Sequence, residues 1–277
     1  MNNFVYSLNN AFSVITDILL VPFTGLAPVW GLVFISVLSG IALIFIYGFV
    51  SNQKAIKSVK RKISASILEV ILYRHDIGLC LKAQGRMLLY AVQYFALALP
   101  PLLILMIPCI FILAQLNLRY EARALMPGEK IIVSAKVSDE KNLFESRITA
   151  GSGLEVTEPV RIPTAGEIVW RLEVKEDAEQ KVSIKTGLNT TPLENLVHIG
   201  KYRGPIFTFS SASWLWSLLY PSSHKIDPSK YGISEISFSY PKAEHALFGL
   251  NLHWIIIFFI VSLMSGLVAS RFLNVEI

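Results

Sequence analysis

Two kinds of apolar pattern alternate along this chain, long runs with no period and shorter stretches with one. Residues 30–50 read WGLVFISVLSGIALIFIYGFV, without a charge. A helix of that length covers roughly 30 Å, the thickness of a bilayer's hydrocarbon core. Trp30 and Tyr47 sit near its ends, where aromatic rings favour the membrane–water boundary. Residues 95–116 form a second such run. It contains Pro100, Pro101 and Pro108, which membrane helices tolerate when neighbours satisfy the freed carbonyls, and a kink is expected near Pro108. Gln115 and Asn117 mark its exit. Residues 250–270 form the third, entered at His253 and Trp254 and left at Arg271. Each run predicts a membrane-spanning helix.

Residues 1–29 are also apolar, with Asp17 as the one charge and Pro22 and Pro28 as interruptions. They lack the basic start of a signal peptide. A full span here would leave little chain to turn before Trp30, so a helix lying in the outer interface is the preferred reading; a fourth span is the alternative.

The periodic stretches lie between these runs. In residues 51–94, Ile56, Val59, Ile63, Ile67, Val70 and Ile71 recur at the 3–4 spacing of one helical face. Gly78 offers a turn, which predicts a helical hairpin with arms near 53–75 and 79–94. In residues 130–137, Ile131, Val133, Ala135 and Val137 alternate; in 167–174, Ile168, Trp170, Leu172 and Val174 do. Val182 with Ile184, Val197 with Ile199, and Ile236 with Phe238 and Tyr240 continue the period of two. Turn signals separate them at Pro127-Gly128, Gly151-Ser152-Gly153, Pro163 with Gly166, and Gly187-Leu188-Asn189. The expected fold is membrane α-helical, with three spans plus interfacial and cytoplasmic helices. Inserted at 117–249 is an all-β immunoglobulin-like sandwich with Trp170 in its core. Within it, the run SSASWLWSLLY at 210–220 predicts a short amphipathic helix begun by capping serines and ended by Pro221. Trp214, Trp216 and Tyr220 would touch the outer leaflet or a partner, or else the helix closes the sandwich core.

Composition agrees with a membrane chain: 53% of residues are apolar and 16% charged, against about 25% charged in soluble domains. The net charge of +5 is concentrated. Residues 51–94 hold eight basic side chains (among them Lys54, Lys57, Lys60, Arg61 and Lys62) and two acids, Glu69 and Asp76, whereas 116–249 is balanced. The excess therefore orients the chain and is not a nucleic-acid signal. The positive-inside rule puts the hairpin in the cytoplasm, residues 117–249 outside and the tail 271–277 inside. The same lysines could meet anionic lipid or a partner, each worth about 1 kcal/mol near such a surface, or do nothing beyond setting topology. Cys80 and Cys109 both fall in the cytoplasmic or membrane part, where a disulfide is not expected.

Chemistry is sparse. His75, His198, His224, His245 and His253 show no metal-pair spacing. Gly151-Ser152-Gly153 is not a nucleophile elbow, and no phosphate loop or dinucleotide fingerprint occurs. No catalytic, cofactor or metal residue is expected. Asn189-Thr190-Thr191 fits a glycosylation sequon, which matters only in a eukaryotic lumen.

Span one, the basic residues Lys54, Lys57, Lys60, Arg61 and Lys62 just after Gln53, and the returning second span resemble the YidC/Oxa/Alb membrane-insertase superfamily and its minimal three-span members. That resemblance covers residues 51–115 and rests on organisation. It implies a lipid-facing polar groove lined from three spans, with Ser36, Ser39, Gln115, Ser262 and Ser265 as its residues; small residues in spans also serve helix packing. Two functions follow. One is a non-enzymatic scaffold or assembly subunit, hetero-oligomeric with other membrane proteins in a bilayer, binding no nucleic acid and no cofactor. The other is an insertase-like chaperone. The expected location is a bacterial inner membrane with a periplasmic domain.

Overall fold

The structure is a computed structural model and describes all residues except 1, 138–139, 178, 188–190, 223–225, 248 and 277. Asn189 and Thr190 of the sequon, Leu188 and Asn189 of the last turn signal, and His224 lie outside the described residues. The chain divides into two units, Met1–Leu32 with Phe111–Trp254, and Val33–Ile110 with Ile255–Ile277. Its elements in order are α1 (Asn2–Leu20), α2 (Pro28–Val50), α3 (Gln53–Leu72), α4 (Ile77–Tyr120), β1 (Lys130–Val137), α5 (Glu140–Glu145), β2 (Arg147–Ala150), β3 (Leu154–Val156) and β4 (Val160–Ile162). There follow β5 (Glu167–Val174), β6 (Gln180–Lys185), β7 (Leu193–Val197), β8 (Phe209–Ser211), α6 (Trp214–Leu219), α7 (Pro228–Tyr231), β9 (Ile233–Phe238), β10 (His245–Leu247), β11 (Leu250–Leu252) and α8 (Trp254–Leu273).

Four helical segments are long and apolar enough to cross a membrane: Val5–Phe23, Pro28–Val50, Ile77–Tyr120 and Trp254–Leu273. The sequence reading counts three, because it lays the first in the interface. Large apolar side chains such as Phe49, Leu102, Ile107, Leu263 and Phe272 point away from protein. In water such surface would be unfavourable; against lipid it is not. The chain is thus built for membrane association, with a separate β-sheet region.

Two boundaries differ from the sequence expectation. The second hairpin arm and the second span are one helix of 44 residues, uninterrupted through Pro100, Pro101 and Pro108. Apolar side chains continue across the junction, so no polar break divides the two. Conversely, residues 250–252 do not open the third helix. They form β11, paired with β10 across Gly249, whose φ of +82° supplies the turn. Helix α8 begins at Trp254, whose indole N–H donates to Glu121 Oε2 at 2.6 Å.

In the β-sheet region, all pairings between named strands are antiparallel. One sheet runs β3-β5-β1-β9-β8, with β4 also on β5, and a second runs β2-β6-β7. Strand β1 buries Ile131, Val133, Ala135 and Val137, and β5 buries Ile168, Trp170, Leu172 and Val174. Val182 and Ile184 of β6 and Leu193 and Val197 of β7 join the same core, so two sheets share one interior around Trp170. Tyr240 lies beyond the end of β9 but packs on that core. Gly128 and Gly166, with φ of +87° and +62°, make the turns into β1 and β5.

Candidate functional site

The basic hairpin is capped at both arms: Asn52 Oδ1 accepts from Ala55 N–H, and Asp76 Oδ1 from Leu79 N–H. Its two acids are thereby accounted for, since Asp76 caps α4 and Glu69 pairs with Arg86. The lysines divide into two groups. Lys57 and Lys60 reach Glu276 at 3.4 and 3.3 Å, and Glu276 N–H donates to Gln53 Oε1 at 2.7 Å. The hydrogen bond from Lys60, then that from Lys57, holds the Glu276 carboxyl below its ordinary value. Lys54, Arg61 and Lys62 are exposed, with Lys62 Nζ 5.5 Å from the centre of the Tyr90 ring. The apolar face of α3 is covered only at its start. Ile56 and Val59 are buried, whereas Ile67, Leu68, Ile71 and Leu72 are exposed, as are Ile77, Leu81 and Leu88 on α4. The far end of the hairpin is therefore an uncovered apolar surface bordered by positive charge.

Helix α6 is shorter than the expected 210–220, because Ser210 and Ser211 pair with β9 as part of β8. Ser213 occupies the cap position without a side-chain cap bond, so the capping role read from these serines is not realised. Trp214, Leu215, Trp216 and Leu219 remain substantially exposed, and the rings of Phe209, Trp216 and Tyr220 cluster within 6 Å. Asn9 Nδ2 of α1 donates to Ser217 O of α6 at 2.7 Å. On α1, Val14, Ile15, Ile18 and the following Val21 are exposed as well, so α1 and α6 together present apolar side chains outward.

The groove residues fall into separate places. Ser36, Ser39 and Ser262 are buried, and Ser265 Oγ donates to Val37 O at 3.3 Å and to Ser262 O at 3.0 Å. A Cβ on Gly40 would collide with Ser262 O and Ser265 Oγ. Helices α2 and α8 approach this closely because Gly40 leaves room for Ser262 and Ser265, and Ser265 bonds across the contact. Gln115 belongs to the other unit, where it is 2% exposed and donates to Asn9 O at 3.2 Å.

Gln115 leads to a constellation that the sequence reading missed. Arg119, with a side chain only 4% exposed, donates to Asp17 Oδ1 through Nε and Nη2, to Gln115 O and Oε1 through Nη1, and to Ser13 O and Oγ through Nη2. The whole guanidinium is consumed in fastening α1 to the end of α4, and the Phe12 and Phe111 rings stack one turn further on. A buried charge beside apolar helices is expensive unless so paired. The signal available in sequence was the sole charge of residues 1–50, Asp17, and the first charge after the second apolar run, Arg119, being of opposite sign. Asn9 Oδ1 is buried and without a partner among the described residues, and Asn9 lines a cavity of about 80 Å³ with Ser13, Ser211, Ser217 and the apolar Leu118, Phe207 and Ile226.

Among the described residues, no three His, Cys, Asp or Glu side chains come together as a metal site. Compared with family models, with curated proteins and with solved structures, the chain matches none.

Proposed function

We propose that the chain is a non-enzymatic membrane subunit that holds other proteins together at a bilayer. The observation that carries this reading is the uncovered end of the α3–α4 hairpin. Apolar side chains at Ile67, Leu68, Ile71, Leu72 and Ile77 stand in the open beside Lys62, Arg61 and Arg74. A patch of that kind marks a contact surface. The positive excess supports a hairpin on the cytoplasmic side and a β-sheet region on the other; in our reading the membrane is a bacterial inner membrane and the sheets lie in the periplasm. The immunoglobulin-like reading of that region rests on two antiparallel sheets sharing one core. In this reading helix α1 lies in the outer interface, held there by its contact with α6 of the β-sheet unit. An insertase-like chaperone is the weaker reading, since it needs an open polar groove and Ser36, Ser39 and Ser262 are packed shut.

Purification of the tagged chain in mild detergent, followed by crosslinking and mass spectrometry, separates the two. A stoichiometric set of partners lost on Leu68→Glu and Leu72→Glu substitution supports the scaffold. Many substoichiometric membrane proteins, crosslinked near Ser36 or Gln115 and unaffected by those substitutions, would establish the chaperone instead.

A further inference from the structure

A cavity of about 780 Å³ opens beside the Arg119 clamp. Its lining combines apolar side chains, Leu20, Val21, Phe23, Leu26, Val29 and Ile206, with three arginines, Arg119, Arg123 and Arg203. Their donors are not equivalent. Arg119 is spent on Asp17, Ser13 and Gln115. Arg123 grips both oxygens of Glu129 at 2.9 and 2.7 Å and also donates to Ala124 O; the hydrogen bond from Arg123 holds the Glu129 carboxyl below its ordinary value. Arg203 differs. Its Nη1 donates to Thr24 O and Leu26 O, at 3.0 and 2.8 Å, which pins the chain between α1 and α2 to the cavity rim. Its Nε and Nη2 bind no protein group among the described residues. The acids in the wall are engaged elsewhere, Asp17 with Arg119 and Glu244 with Asn251 Nδ2 at 3.3 Å.

We propose that this cavity binds an anionic amphiphile, a phospholipid whose phosphate sits on Arg203 and whose chain runs along the Leu20, Phe23 and Val29 side. The volume lies in the range of small-molecule sites, roughly 300–1,000 Å³. The pairing of a guanidinium fork with an apolar wall selects a head that is charged and a tail that is not. Leu20, Val21 and Phe23 close one helical segment apolar enough to cross a membrane and Val29 opens the next, so most of the apolar lining comes from parts of the chain suited to lipid. The site stands whether or not the hairpin binds partners.

The test uses the full-length protein, delipidated in detergent and analysed by native mass spectrometry. Phosphatidylglycerol, phosphatidylcholine with the same chains, and inorganic phosphate are the probes. One phosphatidylglycerol per chain is expected to be retained in preference to phosphatidylcholine. Arg203→Gln should weaken retention at least about tenfold, the worth of one hydrogen bond to a charged group. Ala27→Phe, which leaves Arg203 in place and adds bulk to the cavity lining, should weaken it as much. If Arg203→Gln does not fold, Ala27→Phe decides alone. Equal retention of both lipids, full retention in Ala27→Phe, or displacement by millimolar phosphate would overturn the proposal, the last by making this a site for free phosphate.

Discussion

At the residue scale, Arg119 and Asp17 form an unequal pair. The Arg119 side chain is 4% exposed and the Asp17 side chain 53%. Replacing Arg119 with Met strands Ser13 O, Gln115 Oε1 and a carboxylate, and should cost about 2–4 kcal/mol. Asp17→Asn removes a half-solvated charge while Arg119 keeps its other acceptors, and should cost under about 1 kcal/mol. Thermal unfolding of the two variants in detergent measures the difference; equal losses would mean that the ion pair, not the buried network, fastens α1. Tyr240 gives a second expectation. Burial pushes its phenol up to about 12, although its oxygen accepts from His198 N–H at 3.3 Å. The folded chain therefore holds this proton more tightly than the unfolded chain, whose phenol titrates near 10. The stability it contributes is complete below pH 10 and declines as pH rises toward 12, by on the order of 2–3 kcal/mol. Tyr240→Phe should flatten that part of the alkaline profile, whereas an unchanged slope would assign it to other groups. Little of this was legible beforehand. Arg119 and Asp17 stand 102 positions apart, and no local period records such a pairing.

At the element scale, α2 and α8 meet closely at Gly40. Gly40→Ala forces a methyl group against Ser262 O and Ser265 Oγ, both on the opposing helix. Overpacking of this kind should cost about 1–3 kcal/mol. Gly266→Ala meets Ile44 Cγ1 at 3.1 Å, a milder approach to a side chain and not to backbone, and should cost less. Melting curves that ranked them the other way would contradict the packing described. Helix α1 makes a separate prediction. As an interfacial helix it leaves Ser7→Cys, at an exposed position, open to an impermeant thiol reagent from outside; protection there would make α1 a fourth span. Elements were legible where one interaction dictated them. The alternation in β1 and β5 is repeated in their burial, because each strand has a core face and a solvent face. The join of the hairpin arm to the second span was not legible, because a helix that leaves the membrane has no reason to stop. Nor was β11, whose three residues look like the start of the apolar run that follows.

For the whole molecule, both the proposed partner surface and the proposed lipid site depend on where the membrane lies. Charge decided that in the sequence, through the excess of basic residues in 51–94 against a balanced 116–249. The structure adds two consequences. Both acids of the hairpin are engaged, by Arg86 and by the α4 cap, while Lys54 and Arg61 stay exposed. The apolar faces of α1 and α6, in contact through Asn9 and Ser217, belong with the β-sheet region and not with the hairpin. The most direct test is cysteine accessibility in intact cells, on a Cys80→Ser, Cys109→Ser background. Arg61→Cys and Lys181→Cys each place one thiol on an exposed site, in the hairpin and in the β-sheet region. Labelling by an impermeant reagent is expected at 181 before lysis, and at 61 only after it. Labelling at both positions in intact cells, or the reverse order, would contradict the account.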